Sequence, residues 1–283
     1  TLVSTTAPGR NIRKAGFDFL RAAPLLPAGR ILDARALMLA AAADHGSLQV
    51  HRRPRVAILQ TGDELTLPGG DSSDPSRVIV SNVYGLAALA RSAGAEVSDL
   101  GIVRDSLDAT RAAIRGAAEA GFDVLVTSGG ASVGEHDLMA PALKAENIDL
   151  SVHKIALRPG KPLMFGQGQG LRVLGLPGNP VSAYVCGMIF LLPLLSRLRG
   201  LESHPPRLKG RLGVDMKAND MRRDYMRARM EDGADGIPVI TPLPMQDSSM
   251  LSALAEADCL LIREAHAPEA SAGDPCEALR MID

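Results

Sequence analysis

FDVLVTSGGASVGEHD, residues 122–137, passes from one kind of chain to another within sixteen positions. Val124, Leu125 and Val126 form an apolar, partly β-branched run that predicts a buried strand ending at Thr127. Gly129, Gly130 and Gly134 follow, interleaved with Ser128 and Ser132, and then come the acids Glu135 and Asp137. In an open α/β sheet, ligands gather beyond the carboxyl ends of the strands. Glycines placed there let peptide N–H groups approach an anion closely. A helix starting near His136 or Asp137 would add the positive end of its dipole. Ser128 and Ser132 can donate to phosphate-like oxygens, whereas Glu135 and Asp137 would repel them unless a cation such as Mg²⁺ lay between. From these residues alone a plain βα turn with Asp137 as N-cap stays open.

On either side the rhythm is strand, loop, helix. Strands are expected at 55–60, 96–103, 122–127 and 171–175, with helices at 81–92 and 107–120. Helices between successive strands imply parallel pairing with right-handed crossovers, so residues 54–203 are expected to be a three-layer α/β domain with a mostly parallel sheet. Residues 1–53 hold one clear helix, 33–44, with Asp33 to cap its start and Gly46 to end it, and otherwise read as a remnant of an N-terminal linker or helical region. After His204-Pro205-Pro206, alternating runs at 225–230, 237–241, 259–263 and 277–282 point to a small C-terminal β-barrel, residues 204–283, partly closed because so short a segment cannot leave many edges open.

The chain has 31 basic and 32 acidic side chains and a net charge of -1, so no overall field draws it to nucleic acid or an anionic membrane. An anionic ligand must be met locally. Cys186, Cys259 and Cys276 are odd in number and scattered, which fits a reduced, cytoplasmic compartment. The most apolar stretch, 183–195, is too short to span a bilayer and is expected to be a buried helix; no signal-peptide pattern opens the chain. The six histidines form no zinc spacing, no Ser-His-Asp order stands out, and aromatics at 3% offer no stacking surface for nucleic acid.

Three other loops share the rim predicted for Ser128. Gln60-Thr61-Gly62-Asp63-Glu64-Leu65 ends the first strand with a hydroxyl, a glycine and two acids whose carboxylates could share a metal with the first loop. Lys154, Arg158 and Lys161 place three cations around the Pro159-Gly160 turn, suited to a multiply charged ligand. Pro177-Gly178-Asn179-Pro180 follows the strand at 171–175 and precedes the long apolar helix; its prolines stiffen the backbone, and Asn179 or Ser182 can present polar groups at the helix start.

In this order and spacing the four loops closely resemble the MoeA family, which includes the E domain of gephyrin, and Asn11-Ile12-Arg13-Lys14-Ala15-Gly16 resembles that family's linker motif. The resemblance implies a molybdopterin molybdenumtransferase. Such an enzyme takes adenylylated molybdopterin and molybdate as substrates, inserts the metal at the dithiolene and releases AMP with Mg²⁺ present. It implies that Asp63, Glu64, Asp137, Lys154 and Arg158 serve catalysis, and that Asp63, Glu135 and Asp137 hold the metal. Thr61, Gly62, Ser128, Gly129, Gly130, Ser132 and Gly134 would bind the pterin and phosphates together with Pro159, Gly160, Lys161, Pro177, Gly178, Asn179, Pro180 and Ser182. It also implies a homodimer, a molybdopterin adenylyltransferase as a possible partner, and roughly a further domain upstream of Asn11.

Three positions depart from the pattern. Val80 stands where an acid is expected two residues before Asn82, Phe17 where an acid precedes Asp18, and Arg158 where a lysine is common. Two other functions therefore stay in view: a molybdopterin adenylyltransferase, which shares the central α/β domain but has neither the barrel nor the Pro-Gly-Asn-Pro loop, and a non-catalytic molybdopterin-binding scaffold, which Val80 favours.

Overall fold

The helix expected at 33–44 forms as α1 (Ala34–Ala42) in a computed structural model that describes residues 7–70, 74–130, 138–202 and 207–281. Asp33 accepts from the Ala36 amide at 2.8 Å, and that bond, together with the Arg35 guanidinium, holds the Asp33 carboxyl below its usual value. The helix ends earlier than Gly46, the residue expected to end it: Ala43 is the C-cap, and Asp44 takes a left-handed φ of 65°. This helix belongs to a unit, Thr1–His51, separate from the larger unit Arg52–Asp283.

The larger unit opens with β1 (Arg55–Thr61), the short parallel ribbon β2 (Leu65–Thr66) and β3 (Val78–Ile79), α2 (Asn82–Ser92), β4 (Glu96–Val103), α3 (Leu107–Glu119) and β5 (Val124–Ser128). It continues with α4 (Met139–Ala145), β6 (Asp149–His153), β7 (Leu157–Arg158), β8 (Met164–Gly168), β9 (Leu171–Leu176), and a helical run made of α5 (Pro180–Cys186), a π turn (Gly187–Leu191) and α6 (Leu192–Leu198). The first sheet has the order β4-β1-β5-β9-β8-β6. Its first four strands are parallel, as expected, whereas β8 is antiparallel to both of its neighbours, β9 and β6. The added hairpin comes from Gln169 and Gly170, both at positive φ, which form the tight two-residue turn that right-twisted strands favour.

Both faces of the sheet are covered. Val56, Ile58, Val124 and Val126 pack with α2 and the α5–α6 run, while Ala57, Leu59 and Leu125 pack with Ile114 of α3 and Leu143 of α4. Such double burial explains why β1 and β5 read as unbroken apolar runs. The helical run Pro180–Leu198 is 19 residues, longer than the 183–195 stretch expected, and long and apolar enough to cross a membrane. More than half of it is buried inside the protein, with Val185, Leu191 and Leu195 fully enclosed against the sheet, so it serves as the core helix of this layer.

The last part of the chain supplies β10 (Arg207–Leu212), β11 (Arg223–Glu231), β12 (Val239–Pro242), α7 (Leu251–Ala255), β13 (Cys259–Arg263) and β14 (Pro275–Arg280). The ring β12-β10-β14-β13-β11 closes through β11–β12 pairing, so the barrel is closed, with Leu212, Ala228, Ile240, Cys259, Leu261 and Ala278 filling it. One strand crosses between the two sheets: β7, by chain position part of the α/β region, pairs in parallel with β11 outside the ring. The larger core is likewise shared, since Tyr225, Leu260, Ile262 and Leu279 join the cluster built on Val56 and Val124.

Candidate functional site

The parallel strands end along one rim, and there a cleft of about 680 Å³ opens between the ends of β1, β5 and β9 and the first turns of α2 and α5. Its floor is bare backbone because of how the loops meet. Gly129 and Gly130 have φ of 93° and 65°, and a Cβ on them would lie 2.5 Å from the Thr61 carbonyl oxygen and 2.8 Å from Thr61 Oγ1. Only glycine lets the end of β5 lie this close to the end of β1. Asn82, the first residue of α2, ties the third loop in: its Nδ2 donates to Ser128 Oγ and to the Gly178 carbonyl, each at 2.7 Å. Ser128 Oγ in turn donates to the Pro177 carbonyl at 3.3 Å. Three loops are thus fixed against one another before any ligand arrives.

The barrel region completes one wall. Asn179 Nδ2 donates to Ser248 Oγ at 2.8 Å, the Val181 amide donates to the Ser248 carbonyl at 3.1 Å, and Ser249 and Leu251 line the cleft. Gln246, bonded to the main chain of Arg227 through both ends of its amide, anchors that segment to β11. Opposite lies an apolar wall of Leu65, Val78, Ile79 and Val80. Val80 is 3% exposed and its amide donates to the Thr66 carbonyl, so it belongs to the core as well as to the wall.

Of the residues singled out in the sequence, the structure brings Thr61, Glu64, Ser128, Gly129, Gly130, Pro177, Gly178, Asn179, Pro180 and Ser182 together around this cleft. Ser132, Gly134, Glu135 and Asp137 lie outside the described residues. Gly62 lies beneath the folded-back Glu64 carboxylate rather than on the cleft wall. Asp63 points elsewhere: its Oδ1 accepts from the Asp105 amide at 3.3 Å and its carbonyl accepts from Arg77 at 2.7 Å.

The basic loop also differs from expectation. Arg158 sits on β7 in the barrel sheet, where it bonds Asp224 Oδ2 at 3.0 Å and pairs with Asp220. Burial pushes the Asp224 carboxyl up, and Arg158 opposes that shift. Lys154, Pro159, Gly160 and Lys161 do not line the cleft; Gly160 packs against the Cys186 thiol of α5 with no room for a side chain, and only Pro162 of this loop reaches the wall. Among the described lining residues there is no lysine or arginine, and Glu64 is the sole ionisable side chain. Gln60, Asn82, Ser249 and Leu251 line the cleft but were not picked out as site residues. Gln60 was legible as a polar residue closing an apolar strand, whereas Ser249 and Leu251 reach the site only through tertiary packing.

Residues 57–197 match the family described as the probable molybdopterin binding domain, and residues 209–281 match the MoeA C-terminal region, domain IV. The chain is 32% identical to a molybdopterin molybdenumtransferase of Synechococcus elongatus, over 97% of this chain and 68% of that protein. The chain belongs to the MoeA family. MoeA relatives also include molybdopterin molybdenumtransferases of Haemophilus influenzae, 31% identical over 94% of this chain, and of Nostoc, 34% identical over 80% of it. The chain spans 66% of the Haemophilus protein and 52% of the Nostoc one. Among solved structures, a molybdopterin biosynthesis MoeA protein from Pyrococcus superposes with a TM-score of 0.79 at 27% identity, covering 95% of this chain and 64% of that one. The α/β sheet with its trailing barrel is therefore the MoeA arrangement in this chain.

Proposed function

We propose that this chain inserts molybdate into adenylylated molybdopterin and releases AMP. The observation that supports this best is the cleft in which Thr61, Gly129 and Gly178 converge, held by Asn82 and Ser128 at the carboxyl ends of parallel strands. Bare backbone at that place suits the phosphate of a nucleotide or a tetrahedral oxyanion, because rigid peptide dipoles stabilise negative charge without reorganising. The apolar wall of Val78, Ile79 and Leu251 suits the flat face of a heterocycle. In this reading the protein acts chiefly by holding two reactants in register.

Magnesium is not accommodated by the described residues alone. Among them no three His, Cys, Asp or Glu side chains cluster as metal ligands, and Glu64 is the single carboxylate on the cleft wall. An oxygen-rich Mg²⁺ site would need Glu135 and Asp137, with Asp63 re-aimed from Asp105. The homodimer, the adenylyltransferase partner and the cytoplasmic location belong to the same proposal.

Val80 supports a second reading, a binding scaffold without turnover, since a buried valine in the cleft wall can neither hold a cation nor orient water. Measuring AMP release from adenylylated molybdopterin with and without molybdate separates the two. Release that depends on molybdate is expected for the transferase; tight binding without release identifies the scaffold. Adenylate made from ATP would instead identify an adenylyltransferase.

A further inference from the structure

We propose that Gln60 is a specificity-determining donor of the cleft, its side-chain amide supplying N–H groups to an anionic oxygen of the ligand seated over Gly129 and Gly130. The inference rests on the reading of the cleft as a molybdopterin-nucleotide site. Gln60 is the penultimate residue of β1, lies in register with Ser128 of β5, lines the cleft and is only 3% exposed. Its Nε2 is buried from water and has no hydrogen-bond partner among the described residues. Ser128 Oγ accepts from Asn82 and donates to Pro177, and the Gly178 carbonyl takes the other Asn82 bond. The buried Thr61 and Thr127 hydroxyls at the same strand ends lack partners too among the described residues, so the unmet polar groups gather where the cleft opens. A buried donor left without a partner bears its full desolvation penalty, and folded proteins keep few of them. A leucine or methionine would close the strand without that penalty. A polar residue here is explained by a partner that arrives from outside.

The composition of the cleft says what that partner is. A group with only N–H to offer needs an acceptor, and the described lining has no lysine or arginine to neutralise one. An oxyanion entering over the glycines therefore has only neutral donors to bind it, with the Glu64 carboxylate elsewhere on the wall, and the Gln60 amide stands beside those donors, on the strand whose end the Gly129 and Gly130 backbones touch. Its shared chemistry is a tetrahedral oxyanion oxygen, from either the nucleotide phosphate or molybdate.

Two substitutions test this. Gln60→Met keeps the length and removes the amide; Gln60→Glu keeps the shape and puts a carboxylate where the donor was. Adenylylated molybdopterin, AMP and molybdate are titrated separately into each protein by calorimetry, and the ligand-free melting temperatures are recorded. The expected result is a Gln60→Met protein as stable as the parent or more so, with about tenfold weaker binding of adenylylated molybdopterin, and a Gln60→Glu protein weakened further by like charge. A loss shared by AMP assigns the oxygen to the phosphate, and one shared by molybdate assigns it to the free anion. A lower ligand-free melting temperature for Gln60→Met reveals a structural partner for the amide and overturns the proposal. Unchanged affinity in both variants overturns the donor role alone. A parent protein that binds none of the three compounds overturns the molybdopterin reading and this inference with it.

Discussion

Gly129 and Gly130 bring the strand ends together because they lack a side chain. Gly129→Ala would force φ near 93° on an alanine and drive its Cβ to 2.5 Å from the Thr61 carbonyl. A cost of about 1–3 kcal/mol in stability is expected from the backbone conformation alone, with ligand binding lost as the two loops part; urea unfolding and calorimetry check both. Glu146, 7% exposed, illustrates a charge that works for the fold. Arg115 foremost, with Arg111, holds its carboxyl at about 2, below the ordinary 4.5. Because the folded state lowers this pKa, the contribution is present above 4.5 and disappears as pH falls through about 2. Wild-type and Glu146→Gln proteins should thus have different urea midpoints at pH 6 and converging midpoints as the pH approaches 2. Residues near their partners in sequence, or in turns with a strong local preference, were legible: Thr61, Ser128 and the glycines all announced themselves. Arg158 did not, because its partners Asp220 and Asp224 arrive from β11 and the loop before it, and no local pattern ties a cation to acids so far along the chain.

Helix α2 starts at the cleft, and its first side chain acts as a clamp. Asn82→Ala removes the donor shared by Ser128 and Gly178 and is expected to cost about 1–2 kcal/mol, with a larger proportional loss of ligand affinity than of stability; denaturant midpoints beside binding titrations test the ratio. Helix α5 carries a thiol for packing. Burial pushes Cys186 up to about 12, and burial also raises Cys259 to about 12. Near pH 8 so little thiolate exists at either that native protein should be alkylated by iodoacetamide at Cys276 well before Cys186 or Cys259, as peptide mass mapping would show. Most elements stood out from apolar periodicity, and β4 spans the residues expected for it. Strands β6 and β8 were missed because both are short, β6 is half exposed and β8 carries two glycines, although the Gln169-Gly170 turn marked the hairpin. The ribbon of β2 and β3 left no trace in the pattern, since two-residue strands have no period to detect.

Within Arg52–Asp283 the two sheets are not independent. Tyr225, Leu260, Ile262 and Leu279 sit in the core that also holds Val56 and Val124, Ser248 is bonded to Asn179, and β7 pairs with β11. A single cooperative urea transition is expected for this unit, with circular dichroism and tyrosine fluorescence coinciding. A fragment ending at residue 203 should lack it and bind hydrophobic dyes, since the part of that core covered by Tyr225, Leu254, Leu260, Ile262 and Leu279 would face water. The two-part organisation was visible in the change of rhythm after His204; the sharing was not, because a core common to both parts is a property of docking and has no sequence period. The crossing strand bears on synthesis. As the nascent chain leaves the ribosome, Leu157 and Arg158 emerge well ahead of Arg223 and Asp224, against which they hydrogen-bond. The growing polypeptide must carry an unmatched edge until translation reaches β11, so the interval in which a chaperone or a stray neighbour could capture it is set by the distance between those codons.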